Sequence, residues 1–226
     1  MCTGRVDLSF IFRALASGAD GVFIGGCWPG ECHYITEGNY DALANMHITK
    51  KLLQRIGLSP ERLRLEWIAA SEGMRFAEVM NEMGKTLTGL GPLGAELGEG
   101  VDPHLLQSKL EAVRRLVPYI RLVEREKLRP PVKSEQVYNE FYGSAEVNRL
   151  FDDLITDRLV ASQIMLLLEK QPLGTAQIAE ALGLSPSAVS RHMSSSSRQG
   201  MVRYDVASRR FAPALGVPGR TQAARG

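Results

Sequence analysis

Cys27 and Cys32 stand five positions apart in the stretch GGCWPGECHY, residues 25–34. Gly25, Gly26, Pro29 and Gly30 surround them, and His33 and Tyr34 follow. The chain has one further cysteine, Cys2. Thiolates are the usual ligands of iron–sulfur clusters, and a [2Fe–2S] cluster normally takes four. A glycine-rich loop suits that task. Its backbone N–H groups can turn toward sulfide and thiolate charge, and Pro29 stiffens the turn. Structural zinc also takes four ligands, and Cys2, Cys27, Cys32 and His33 make such a set on paper. Cys32 and His33 are adjacent and point in different directions, so His33 reads as a packing or supporting residue. A dithiol–disulfide pair is the third chemistry, although the usual redox spacing is C-x-x-C. His47 and His104 read as solvent-facing histidines.

These residues need elements to hold them. Residues 7–16, DLSFIFRALA, place Leu8, Ile11, Phe12 and Leu15 at helical spacing, with Asp7 as N-cap and Gly18 as stop. GVFIGG, residues 21–26, reads as a buried parallel strand. A helix follows over residues 40–56. LRLEWIAA, residues 63–70, reads as a second strand with Leu63, Leu65 and Trp67 on one face. A third helix follows, with Ser71 as its cap. The alternation predicts an α/β layer with a parallel sheet. Ligands bind at the carboxyl ends of such strands, and Cys27 sits at one. Cys2 precedes the first helix at a place where the pattern calls for a strand end, so an N-terminal strand is expected to be missing from the sequence.

Glycines at 89, 91, 94, 98 and 100 mark a boundary. Residues 92–156 read as a helical linker region. It contains a helix over 103–126 interrupted at Pro118, an extended RPPVKSEQ segment, and a helix over 144–156. The stripe Leu105, Leu106, Leu110, Val113 and Leu116 is wide enough to bury, and packing within the chain is the expected outcome.

The fold expected is therefore α/β, a parallel sheet with helices over residues 1–91, then the helical linker, then a winged helix-turn-helix over 157–213. In that last part Thr175 caps one helix and Gly183 permits the turn. Ser185 caps the next helix, with Pro186 at its first position. MVRYDV and RRFAPA form a wing. A tail, residues 214–226, has no core-forming pattern and is expected to be disordered.

Composition is that of a soluble globular protein, 44 per cent hydrophobic and 23 per cent charged. A formal net charge of +2 marks neither a nucleic-acid nor a membrane binder, so such a role must come from a local patch. No apolar run reaches membrane-spanning length. Met1 leads into polar CTGRVD, so no leader and a cytoplasmic location are expected.

CTGRVD, GADGVFIGGCWPGECHY, GNYDALAN and LLQRIGLSPERLRLEWIAASEGMRFAEVMNEM together resemble the delta, iron–sulfur subunit family of the methyl-viologen-reducing (F420-non-reducing) hydrogenase, from Cys2 to about Gly91. The resemblance implies a [2Fe–2S] cluster. It also implies electron transfer from a hydrogenase or formate dehydrogenase to the flavin-bearing subunit of heterodisulfide reductase, with no substrate chemistry of the chain's own. By resemblance, Cys2, Cys27 and Cys32 fall on the family's cysteine positions. The family has a further cysteine pair upstream of the position matched by Cys2, so the ligand set in this chain is incomplete. Trp28 stands where the family commonly has histidine, and Glu31 where aspartate is common.

Residues 157–213 resemble winged helix-turn-helix domains of the ArsR or MarR kind. They hold seven Lys or Arg against four Asp or Glu, net +3. Arg191 lies in the recognition helix with Ser187, Ser190 and Ser194, and Arg209 and Arg210 lie on the wing. Phosphate contacts by such arginines supply nonspecific DNA affinity. Winged helices also serve as docking modules. Two functions follow: an electron-transfer subunit with an appended docking module, or a redox-responsive transcription regulator.

Overall fold

The computed structural model of the chain describes residues 2–98 and 103–214. It divides into two compact units, one up to Thr156 and one from Asp157.

The first unit is built on two parallel strands, β1 (Val22–Gly26) and β2 (Leu63–Trp67), in register from Val22 opposite Leu63 to Gly26 opposite Trp67. Two strands alone are marginally stable, so helices must cover them. α1 (Leu8–Ala16) begins where the Asp7 carboxylate accepts from Ser9 N at 2.7 Å. It buries Leu8, Ile11, Phe12 and Leu15, each contributing about 1.5–3 kcal/mol. α2 (Gly38–Arg55) packs on β2 and buries Ala42, Leu43, Ile48, Leu52 and Leu53. α3 (Gly73–Leu90) buries only Val79 and Met83, and leaves Met74, Phe76 and Met80 exposed. Its N-cap is Glu72 rather than the expected Ser71.

Residues 92–156 join this unit. α4 (Pro103–Lys127) packs on α1 and buries Leu110, Val113, Val117 and Ile120. Of the expected stripe, Leu110 and Val113 are buried within the chain and Leu105, Leu106 and Leu116 are half-buried, while Val117 and Ile120 complete the buried face. Pro118 does not interrupt α4. It lies on the solvent face, where the carbonyl left without its N–H partner can turn to water. Residues 129–134 of the RPPVKSEQ segment are irregular, and its last two residues begin a helix. Ser134 Oγ accepts from Val137 N at 3.2 Å and opens α5 (Glu135–Gly143), a helix that the sequence pattern does not announce. Tyr138 and Tyr142 of α5 bury against α2, and Tyr142 Oη donates to Leu128 O at 2.6 Å. α6 (Ala145–Phe151) and a π-helical turn, Asp152–Thr156, close the unit.

Arg62, fully buried, ties β2 to the segment after α3. Its guanidinium donates to both Glu96 carboxylate oxygens at 2.6 and 2.8 Å, and to the carbonyls of Asp20, Gly91 and Pro92. Every arm has a partner, as a buried charge requires.

The second unit has helices α7 (Asp157–Lys170), α8 (Thr175–Leu182) and α9 (Pro186–Arg198), then antiparallel β3 (Val202–Asp205) and β4 (Arg210–Pro213). Its core holds Ile164, Leu168, Ile178, Val189, Met193 and Val202. Gly174, not Thr175, is the N-cap of α8. Gly183 takes the left-handed conformation, φ 66°, that the turn demands. Ser185 caps α9 through Ala188 N at 3.2 Å. Leu173 and Phe211 exchange backbone hydrogen bonds of 3.1 and 2.8 Å and pin the wing to the loop before α8. Of the expected tail, residues 215–226 lie outside the described residues.

Candidate functional site

Cys2 and Cys32 are brought together, their Sγ atoms 3.6 Å apart. Cys32 is buried, Cys2 is half-buried and both are free thiols. A disulfide needs about 2.05 Å between sulfurs. Two tetrahedral ligands at about 2.3 Å from one metal stand about 3.8 Å apart. The observed separation is the contact distance of two free thiols and lies close to that of two ligands on one metal. Burial pushes the Cys2 thiol above its ordinary pKa, and the neighbouring Cys32 adds to the rise. A cation between the sulfurs would relieve that cost, because metal ligation takes the thiolate form.

Gly38, the first residue of α2, makes the pair possible. A Cβ there would lie 2.6 Å from Cys2 Sγ and closer still to Cys32 Sγ. A Cβ on Gly4 would meet Gly38 O at 2.6 Å. The turn carrying Cys2 and the start of α2 therefore touch backbone to backbone. α2 also fastens both cysteine-bearing segments. The buried Asn39 donates from Nδ2 to Cys27 O at 2.7 Å, and the buried Asn45 donates to Val6 O at 2.9 Å. Thr3 Oγ1 donates to Gly25 O at 2.9 Å, which sets Cys2 at the carboxyl end of β1. Cys2 lines a cavity of about 180 Å³ with Tyr34, Glu37 and Asp41.

Cys27 is exposed, and the described residues contain no group of three His, Cys, Asp or Glu side chains placed around one point. The structure thus unites Cys2 with Cys32 and leaves the Cys27 side chain apart. His33 is exposed and packs edge-on against Tyr34. Trp28 is tethered: its Nε1 donates to Glu72 Oε2 at 2.7 Å, Ala69 N donates to the same oxygen, and Arg75 lies over its ring. These bonds hold the Glu72 carboxyl below its usual pKa. The loop holding Cys27 is thereby tied to the segment after β2.

Sequence reasoning missed Gly38, Asn39, Asn45 and Glu72. It also took His47 as solvent-facing, whereas the ring is half-buried against α5. His47 stacks on Tyr142 at 4.9 Å, and its Nε2 lies 3.0 Å from Asn139 Oδ1. Burial lowers its pKa to about 4.

In the second unit, α9 turns Ser187, Ser190, Arg191 and Ser194 to solvent. Arg203, Arg209 and Arg210 are exposed on the wing. The wing turn is held by Asp205, which accepts from Ala207 N at 3.0 Å and Ser208 Oγ at 2.7 Å. Arg209 adopts φ 54° there.

The pattern of the family described as methyl-viologen-reducing hydrogenase, delta subunit, matches residues 1–91. That of the bacterial regulatory protein, arsR family, matches residues 160–204. The iron–sulfur subunit of the F420-non-reducing hydrogenase of Archaeoglobus profundus is 55% identical over 95 residues, 42% of this chain and 69% of that protein. The iron–sulfur subunit of the vhu F420-non-reducing hydrogenase of Methanopyrus kandleri is 39% identical over 92 residues, 41% of this chain and 69% of its own length. One subunit of the ferredoxin/F420H2-dependent CoB–CoM heterodisulfide reductase of Methanosarcina acetivorans is 50% identical over 96 residues, 42% of this chain and only 12% of that much longer protein.

Proposed function

Because the chain belongs to the methyl-viologen-reducing hydrogenase delta-subunit family through residues 1–91, we propose that its first unit is the electron-transfer iron–sulfur module of a hydrogenase–heterodisulfide reductase type complex. The observation that carries this reading is the Cys2–Cys32 sulfur separation of 3.6 Å beneath Gly38. Cys2 and Cys32, with Cys27 as the third thiol of the set, would hold a [2Fe–2S] cluster. When bound, the cluster supplies reversible one-electron transfer. The chain's own work is positional. Gly4 and Gly38 let backbone approach the sulfurs, Asn39 and Asn45 fix the two cysteine segments on one helix, and the buried side of Cys32 excludes water.

The partners are a hydrogenase or formate dehydrogenase as donor and the flavin-bearing subunit of heterodisulfide reductase as acceptor. The names of the relatives support partners of this kind, since they are components of hydrogenases and of a heterodisulfide reductase. The complex works in the cytoplasm; no helix among the described residues is long and apolar enough to cross a membrane. Protein that carries the further cysteine pair implied by the resemblance upstream of Cys2, made and purified without oxygen, is the test. It should hold about two irons and two acid-labile sulfides per chain, and Cys32→Ser should lose both. Stoichiometric zinc without sulfide overturns the reading.

A second reading rests on the second unit. Its match to the arsR family pattern and the exposed Ser–Arg face of α9 favour DNA binding, and with it a redox-responsive regulator.

A further inference from the structure

Beside the cysteine pair lies a second cavity, of about 270 Å³, lined by four arginines, Arg5, Arg121, Arg125 and Arg129, and by Asp7 and Asp41. It shares Gly4, Arg5 and Asp41 with the cavity that Cys2 lines. Three of the arginines come from α4 and the segment just after it, beyond residues 1–91 that match the family pattern. The arginines differ in how they are held. Arg121 is committed to Asp7, with its Nε at 2.8 Å from Oδ2. Arg129 reaches Asp41 and Glu124 only at 3.4 Å each. Arg5 and Arg125 have no ion-pair partner among the described residues. Four arginines face Asp7, Asp41 and Glu124, whose carboxylate lies 3.4 Å from both Arg121 and Arg129, so one net positive charge remains.

We propose that this cavity binds a phosphate or diphosphate group beside Cys2. Guanidinium groups match the oxygens of such a group two at a time. The excess positive charge attracts an oxyanion, and the loosely held Arg129 can exchange its long contacts for short ones. The space equals roughly nine waters at about 30 Å³ each, so the group enters with part of its hydration shell. The oxyanion arrives free or as the diphosphate of a nucleotide, and the arms of the experiment separate these. The proposal stands on the cavity alone; iron and sulfide content tests the cluster reading separately.

The experiment is titration calorimetry on the full chain at low salt with inorganic phosphate, pyrophosphate and adenosine diphosphate. Saturable binding at one site is expected. Arg125→Ala and Arg129→Ala should each weaken it about tenfold to a hundredfold, the loss of a charge-assisted hydrogen bond. Arg13→Ala on α1 and Arg209→Ala on the wing should leave it unchanged. Adenosine diphosphate binding more tightly than pyrophosphate assigns the site to a nucleotide, and equal binding assigns it to the free anion. Three outcomes overturn the proposal: no saturable binding, binding indifferent to Arg125 and Arg129, or binding of a polyglutamate peptide but of no phosphate probe.

Discussion

Gly38 and Cys32 stand so close that the missing Cβ is the space the sulfur occupies. The same missing Cβ makes room for Cys2 Sγ, so one glycine brings together two cysteines thirty positions apart in sequence. Nothing in the local pattern around Gly38 demands glycine for its backbone conformation. The demand comes from packing.

Gly38→Ala should therefore separate the sulfurs. The expected cost is about 1–3 kcal/mol, as for overpacking of a well-filled site, together with loss of bound iron. Gly84→Ala is the control, because a Cβ at Gly84 in α3 meets nothing within 4 Å. It should stabilise by about 0.5–1 kcal/mol, the ordinary helix preference of alanine over glycine. Thermal melts and iron content of both variants check the contrast.

The three thiols should react in an order set by exposure. In the metal-free chain, iodoacetamide should modify the exposed Cys27 first, then Cys2, and Cys32 last. A mild oxidant should join Cys2 to Cys32, since a shift of about 1.5 Å takes their sulfurs to bonding distance. Peptide mapping reads both results. A Cys27–Cys32 disulfide formed ahead of the Cys2–Cys32 bond would contradict the arrangement described.

His47 should make the first unit sensitive to acid. Burial lowers its pKa from 6.5 to about 4, with Lys51 and Lys50 adding to the effect and the Asn139 contact opposing it. The unfolded chain binds this proton near pH 6.5 and the folded chain only near 4. Its contribution to stability is thus full above pH 6.5 and is lost as pH falls toward 4. The loss should amount to about 1–3 kcal/mol, after allowance for partial exposure. Urea melts between pH 7 and 4 measure it. His47→Gln should flatten the slope in that window.

Chemistry-bearing types and layer order were legible in the sequence, and side-chain neighbourhoods were not. The apolar spacing of Leu8, Ile11, Phe12 and Leu15, and the strand run before Cys27, predicted elements that the structure shows. Gly38, Asn39 and Asn45 carry no local signature, because their roles come from segments that meet only after folding. α5 was hidden behind Pro130 and Pro131. The clue available was Tyr138 and Tyr142, one helical turn apart. Pro118 misled in the opposite direction, since a proline on a solvent face disturbs α4 too little to end it. His47 was misread because its stacking partner, Tyr142, lies on that unrecognised helix.

The last prediction concerns the second unit. Arg209 and Arg210 sit on a short wing and can reach phosphates only, whereas Arg191 lies about one and a half turns into α9 on its exposed face. Replacing both wing arginines by alanine should weaken binding to every DNA sequence alike and lower the salt slope by about two units. Arg191→Ala should instead alter sequence preference, at a cost of about 1–3 kcal/mol where it makes a bidentate guanine contact. The serines beside it, Ser187, Ser190 and Ser194, are small enough to let the helix approach base edges closely. A salt titration of the full chain on promoter and random DNA checks these outcomes. Absence of binding at about 50 mM salt, where nonspecific attraction is strong, would remove the DNA role. The unit would then be a docking element of the electron-transfer complex, and the regulator reading would fall with it.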